Sequence, residues 1–148
     1  MIYQLRPPAL DDLGLVAALR EQTVRVGSGD LRVSIRAPEP LPPLPAAIEV
    51  AAYRIVMEAF TNVLRHAQAR TCHITLVLEG TGEEAALTAE VQDDGCGIAP
   101  GRQAGVGLQS MRERAVELGG TCMVEALPNS GTRVRARLPL GAFRAQEA

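Results

Sequence analysis

A chain of 148 residues, 47% of them apolar, can bury one sizeable core, and its formal charge of −2 leaves no electrostatic footprint for non-specific nucleic-acid binding. All fifteen cationic residues are arginine, and without lysine neither a Walker-type phosphate loop nor a eukaryotic-type protein kinase site has its usual cation. Three widely spaced cysteines, Cys72, Cys96 and Cys122, argue against a disulfide framework or a zinc cluster, and no apolar run reaches the roughly 18 residues of a membrane span.

Met1 to Leu5 is a short scrap ended by Pro7-Pro8, and Asp11-Asp12 lead into LGLVAALREQTVRV. Leu13, Val16, Ala17, Leu19 and Val24 predict an amphipathic helix to about Val26, its acidic first turn complementing the dipole. After the turn Gly27 to Asp30, Leu31, Val33 and Ile35 alternate with Arg32, Ser34 and Arg36 as in a half-buried strand. The proline-rich piece Pro38 to Pro45 can be neither helix interior nor central strand; it reads as a rigid connector in preference to a polyproline ligand. A long helix follows, Ala46 to Ala67, with Ile48, Ala52, Ile55, Ala59, Val63 and Ala67 at core-facing spacing.

Cys72 to Gly80 and Ala86 to Asp94 read as two strands around a turn at Gly82 to Glu84. The sequence then loosens: GCGIAPGRQAGVG holds five glycines in thirteen residues. From Val106 a third helix places Leu108, Met111, Ala115 and Leu118 on one face and stops at Gly119-Gly120. TCMVEAL and TRVRARLPL are two further strands joined by PNSG, and the tail after Leu140 has little to bury. The order of elements predicts an α+β fold: a two-layer sandwich with a mixed sheet of about five strands and the helices on one face.

Chemistry-bearing residues fall into an ordered series. Glu58, Asn62 and His66 recur every four residues along one stripe of the long helix, with Arg65 beside the last of them. A carboxylate, a carboxamide, a guanidinium and an imidazole on one helix edge suit an anionic ligand with a metal ion. Asp93-Asp94-Gly95-Cys96-Gly97 follows directly on a strand, whose alternation turns one aspartate inward and the other outward. A buried carboxylate needs a donor, such as an exocyclic amine, and the glycines let a flat ligand come close. Gly105-Val106-Gly107 opens the third helix, where free N–H groups and the dipole favour phosphate. Ile98 to Ala104, between the glycine clusters, reads as a mobile lid with Arg102 as its only charge, and the Thr132 hydroxyl is placed to support an inward aspartate.

Taken in order, E-x-x-x-N-x-x-R-H, DDGxG, GxGL opening a helix and N-S-G-T before a strand resemble the GHKL ATPase superfamily. Within it, RIVMEAFTNVLRHA, DDGCGI, GVGLQSMRERAVELGG and SGTRVRARLPL are similar to the catalytic, ATP-binding domain of bacterial sensor histidine kinases. LRPPALDDLGLVAAL resembles the junction after the dimerisation helices in the subfamily whose response regulators carry LuxR-type DNA-binding domains. The resemblance covers about Leu5 to Leu140 and implies the Bergerat version of the sandwich. It also implies a protein histidine kinase that uses ATP and Mg²⁺.

The resemblance assigns roles by position. Glu58 polarises the attacking imidazole, Asn62 binds Mg²⁺, Arg65 meets the phosphates and His66 lines the nucleotide. Asp93 reads adenine with Thr132 behind it. Gly95 and Gly97 shape the adenine pocket, Gly105 and Gly107 hold phosphate and hinge the lid, and Ile98, Val106 and Leu108 join the nucleotide-binding residues. His66 and His73 are the two histidines, and neither stands on a dimerisation helix, so the acceptor is expected before Met1. On this reading residues 1–6 are the junction, 7–140 the catalytic domain and 141–148 a flexible tail, incomplete as an enzyme alone. The implied partners are ATP, the dimerisation and phosphoacceptor domain of the same sensor and, through it, a response regulator. Direct contact with nucleic acid or membrane is not expected, and the location is cytoplasmic, including the cytoplasmic part of a membrane-bound sensor. An anti-sigma-type serine kinase and a non-enzymatic, ATP-gated interaction module are the alternatives.

Overall fold

A computed structural model describes residues 8–27, 29–95, 106–128 and 131–141. The elements run α1 (Pro8–Val26), β1 (Arg32–Arg36), α2 (Ala46–Asn62), β2 (Thr71–Glu79), β3 (Ala86–Asp93), α3 (Val106–Glu117), β4 (Thr121–Ala126) and β5 (Thr132–Pro139). The five strands form one sheet in the order β1-β2-β3-β5-β4. β1 runs parallel to β2, and every other pair is antiparallel. The three helices cover one face, with α2 over β3 and β5, α1 beside it towards β1, and α3 towards β4.

Strand alternation explains why only one face is covered. Cys72, Ile74 and Leu76 of β2, Leu87, Ala89 and Val91 of β3, and Val134, Ala136 and Leu138 of β5 are buried beneath the helices. Their alternates face the other way, where Glu79 meets Arg135, and Arg133 meets both Glu90 and Glu125. Ser34 and His73, partners in the β1–β2 register, hydrogen-bond on that open face, a structural setting for His73. The α2 stripe is as its spacing predicts: Ile48, Ala52, Ile55, Ala59 and Val63 are buried, joined by Phe60.

Three local expectations change. First, α1 begins at Pro8, ahead of the aspartates, and is broken at Gly14, whose φ of 79° and ψ of 173° are not helical. The buried face is Leu10, Leu15, Ala18 and Leu19 with Thr23, whose hydroxyl donates to the Leu19 carbonyl at 2.8 Å. Val24, assigned to that face from its spacing, is 83% exposed because it lies five residues beyond Leu19, off the stripe. Second, the long helix ends as an α-helix at Asn62, and Val63–Ala67 form a π-helical turn closed by left-handed Gln68. Third, order extends past Leu140: its N–H donates to the Ala85 carbonyl at 2.7 Å, and Gly141 is buried against the Glu83 backbone.

Other junctions follow their composition. Pro38 to Pro45 has no regular structure; Leu41 and Leu44 pack against the core, and Pro45 delivers the chain to α2, its carbonyl accepting from Glu49 N–H. Gly119, at φ 79°, ends α3 as its position predicts, and Gly120 N–H returns to the Ala115 carbonyl at 2.8 Å. The expected lid, residues 98–104, and most of the tail, 142–148, lie outside the described residues, as do Met1 to Leu5.

Candidate active site

β3 ends in two adjacent carboxylates with opposite surroundings. Asp93 continues the core-facing row of Ala89 and Val91 and is 5% exposed. Its Oδ1 accepts the N–H of Gly95 at 2.8 Å, and the backbone N–H of Thr132 also donates to this carboxylate. Burial raises its pKa, the Gly95 N–H opposes that, the neighbouring charge of Asp94 adds to it and the Thr132 N–H again lowers it. Two donors leave lone pairs on the carboxylate for a further one. The contact from Thr132 is thus made by its main chain, where the sequence had suggested its hydroxyl; strand β5 begins there, opposite the end of β3.

Asp94 is exposed and structural. One of its oxygens accepts the N–H groups of Arg70 and Thr71, at 2.8 and 2.9 Å, and these bonds hold its pKa below the usual carboxylate value. It fastens the start of β2 to the end of β3. Gly131, at φ +107°, passes over the same corner so closely that a Cβ would sit 2.2 Å from the Asp93 carbonyl oxygen. Cys72, facing Asp93 in the β2–β3 register, is fully buried and its thiol is pushed up to about 12, mainly by burial, so it is unreactive. Cys122 is likewise a buried free thiol.

The second half of the site is the far end of α2. Glu58 and Asn62 stand one turn apart and both are half-buried, while Arg65 is exposed in the π-helical turn that follows. The π turn begins directly after Asn62. The side chain of His66 lies outside the described residues, as do those of Val106 and Gly107. Residues 97, 98 and 105 lie outside them altogether. Leu108 is half-buried against the core on the first turns of α3.

Beside Glu58 a cleft of about 210 Å³ opens between α2 and α3, lined by Tyr53, Arg54, Met57, Glu58 and Thr61 from one helix and Ser110, Met111 and Arg114 from the other. The sequence reading missed Arg54 and Arg114. Arg54 had a signal, standing four residues before Glu58 on the same stripe; Arg114 had none, because only packing brings α3 alongside. Burial lowers the pKa of Arg114, the Arg54 charge adds to that, and Glu117 and Glu58 oppose it; the guanidinium remains cationic.

Residues 47–142 match the family described as "Histidine kinase-, DNA gyrase B-, and HSP90-like ATPase". The chain belongs to this family. Within the family its similarity is to sensor histidine kinases. It is 34% identical to the signal transduction histidine-protein kinase/phosphatase UhpB of Salmonella typhimurium, an alignment covering 94% of this chain and 27% of that protein. It is also 34% identical to the oxygen sensor histidine kinase NreB of Staphylococcus carnosus, over 93% of this chain and 40% of the relative. The chain therefore spans well under half the length of these curated relatives. Among solved structures, the histidine kinase domain of the Erythrobacter litoralis blue-light activated kinase EL346 superposes with a TM-score of 0.71 at 23% identity, over 89% of this chain and 62% of that one. The ATP binding domain of PrrB from Mycobacterium tuberculosis gives 0.56 at 24%, over 80% and 86%. These two likenesses carry the fold: a five-stranded mixed sheet under one layer of helices, as the GHKL resemblance implied.

Proposed function

We propose that this chain is the ATP-binding catalytic domain of a sensor histidine kinase and passes the γ-phosphoryl group of ATP to a histidine on a dimerisation domain, from which a LuxR-type response regulator receives it. The observation that carries the reading is the buried Asp93 carboxylate, fixed by two backbone N–H groups at the mouth of β3 inside the segment matched to the ATPase family. A rigid, desolvated acceptor suits the N6 amine of adenine and opposes the guanine oxygen, at a cost of about 1–3 kcal/mol for the unmet pairing. Gly95, Gly97 and Ile98 shape the rest of the adenine pocket. Gly105, Val106, Gly107 and Leu108, at the opening of α3, take the phosphates with Arg65, and His66 lines the nucleotide.

Magnesium fits the donor set. No group of three His, Cys, Asp or Glu residues that could hold a metal occurs among the described residues. A hard cation would therefore take the Asn62 amide oxygen together with phosphate oxygens and water, as Mg²⁺ commonly does. Bound there, it would neutralise phosphate charge. Glu58 accepts a hydrogen bond from one imidazole N–H of the acceptor, freeing the other nitrogen to attack. An N–P bond forms, the bond from the γ-phosphorus to the β–γ bridging oxygen breaks, and ADP leaves with that electron pair. The protein's part is positioning and charge. Residues 7–140 form the catalytic domain on this reading, preceded by a junction and followed by a tail. No described helix is long and apolar enough to cross a membrane, and a need for ATP favours a cytoplasmic location for the domain.

Calorimetry with Mg·ATP tests the adenine site: wild type binds, Asp93→Ala loses nearly all affinity, and unchanged binding would refute the assignment. Labelled ATP with a histidine-bearing dimerisation domain of the family supplied in trans tests the reaction. An acid-labile phosphohistidine is expected; label on serine of a partner alone would reassign the chain to the serine kinases.

A further inference from the structure

Arg54 and Arg114 face one cleft with Glu58, yet the reaction as described above gives them no part. From Asn62, α2 steps back one turn to Glu58 and one more to Arg54; from its opening at Val106, α3 steps through Ser110 to Arg114. The cleft therefore runs away from the phosphate end of the site. Its walls are unequal. Tyr53, Met57 and the buried Met111 supply apolar surface, and among the described residues the charged groups lining it are two guanidiniums and one carboxylate. Two arginines that repel each other are held together on neighbouring helices, with Glu117 and then Glu58 within electrostatic reach of Arg114. Beside partly apolar walls such attraction is stronger than between solvated surface charges.

We propose that Arg54 and Arg114 are positioning residues that keep the Glu58 carboxylate aimed at the acceptor, one from its own helix and one from across the cleft. The proposal rests on the assignment of Glu58 as the group that polarises the acceptor imidazole. Arg54 stands one turn before Glu58 on α2 and Arg114 lines the same cleft from α3, so their charges bias the direction the carboxylate takes. A carboxylate free to rotate into water would lose the alignment on which transfer depends.

The test is a mutant cycle read in the transfer assay, with ATP affinity measured in parallel. Arg54→Gln and Arg114→Gln should each slow transfer at saturating ATP about tenfold while changing ATP affinity less than about twofold. In a Glu58→Gln background the same changes should add less than about twofold, because the arginines act through the group already removed. Arg54→Lys, which keeps the charge and the fold, should recover most of the rate. Losses that multiply with Glu58→Gln, a parallel fall in ATP affinity, or no loss would each overturn the arginine role alone. A Glu58→Gln variant as fast as wild type would overturn the Glu58 assignment and this role with it.

Discussion

Asp93 and Asp94 are neighbours in sequence and opposites in energetics. Burial raises the pKa of Asp93, so the folded protein takes up a proton more readily there than the unfolded chain does. Its contribution to stability is greatest below the unfolded value of about 3.9 and is lost as pH rises through the folded one. Asp93→Asn should therefore flatten that part of the stability profile and raise the melting temperature of the ligand-free protein near neutral pH, while weakening ATP binding. Melting curves from pH 3 to 7 for both proteins give the comparison; an unaltered difference across that range would contradict it. Asp94 has the reverse sign. Its lowered pKa stabilises above the unfolded value, and that contribution is lost as pH falls through the folded one. Asp94→Ala should cost about 1 kcal/mol at pH 7 through its two main-chain donors, discounted for exposure. Urea melts should register the loss, with ATP affinity within about twofold of wild type by calorimetry.

At the scale of elements, the corner where β3 ends and β5 begins decides how well the inward aspartate is held. Gly131 adopts φ +107° and lies against the Asp93 carbonyl, so neither the conformation nor the space admits a side chain. Gly131→Ala should destabilise by about 1–3 kcal/mol and weaken ATP binding together, since displacing this backbone moves the Thr132 N–H. A variant that melts early yet binds ATP normally would separate the corner from the site. The end of α2 was only partly legible. Its apolar spacing predicted a helix to Ala67, but the switch to a π turn after Asn62 leaves no trace in hydrophobic periodicity. Two features of α1 were also misjudged: a glycine that breaks the helix at Gly14 looks, in sequence, like one that is merely tolerated, and Val24 was assigned to a stripe from which its spacing excludes it.

For the whole molecule, α1 and β1 lie before the segment matched to the family, which begins at residue 47, yet α1 contributes Leu10, Leu15, Ala18 and Leu19 to the same core as α2. Leu19→Ala should cost about 2–5 kcal/mol as a buried leucine truncation. Thermal denaturation of the full chain measures it; a loss under 1 kcal/mol would mean that α1 packs only loosely. Alternation and helical spacing determined the element order and the one-sided sandwich, because each depends on local repeats that survive in a linear string, and the ordered motifs were legible through their resemblance to the family. Tertiary structure alone decided that the Thr132 N–H meets Asp93, that Asp94 is anchored on Arg70 and Thr71, and that Arg114 shares a cleft with Glu58. Those meetings join residues dozens of positions apart, and they are fixed by strand register and helix packing, which no local pattern encodes.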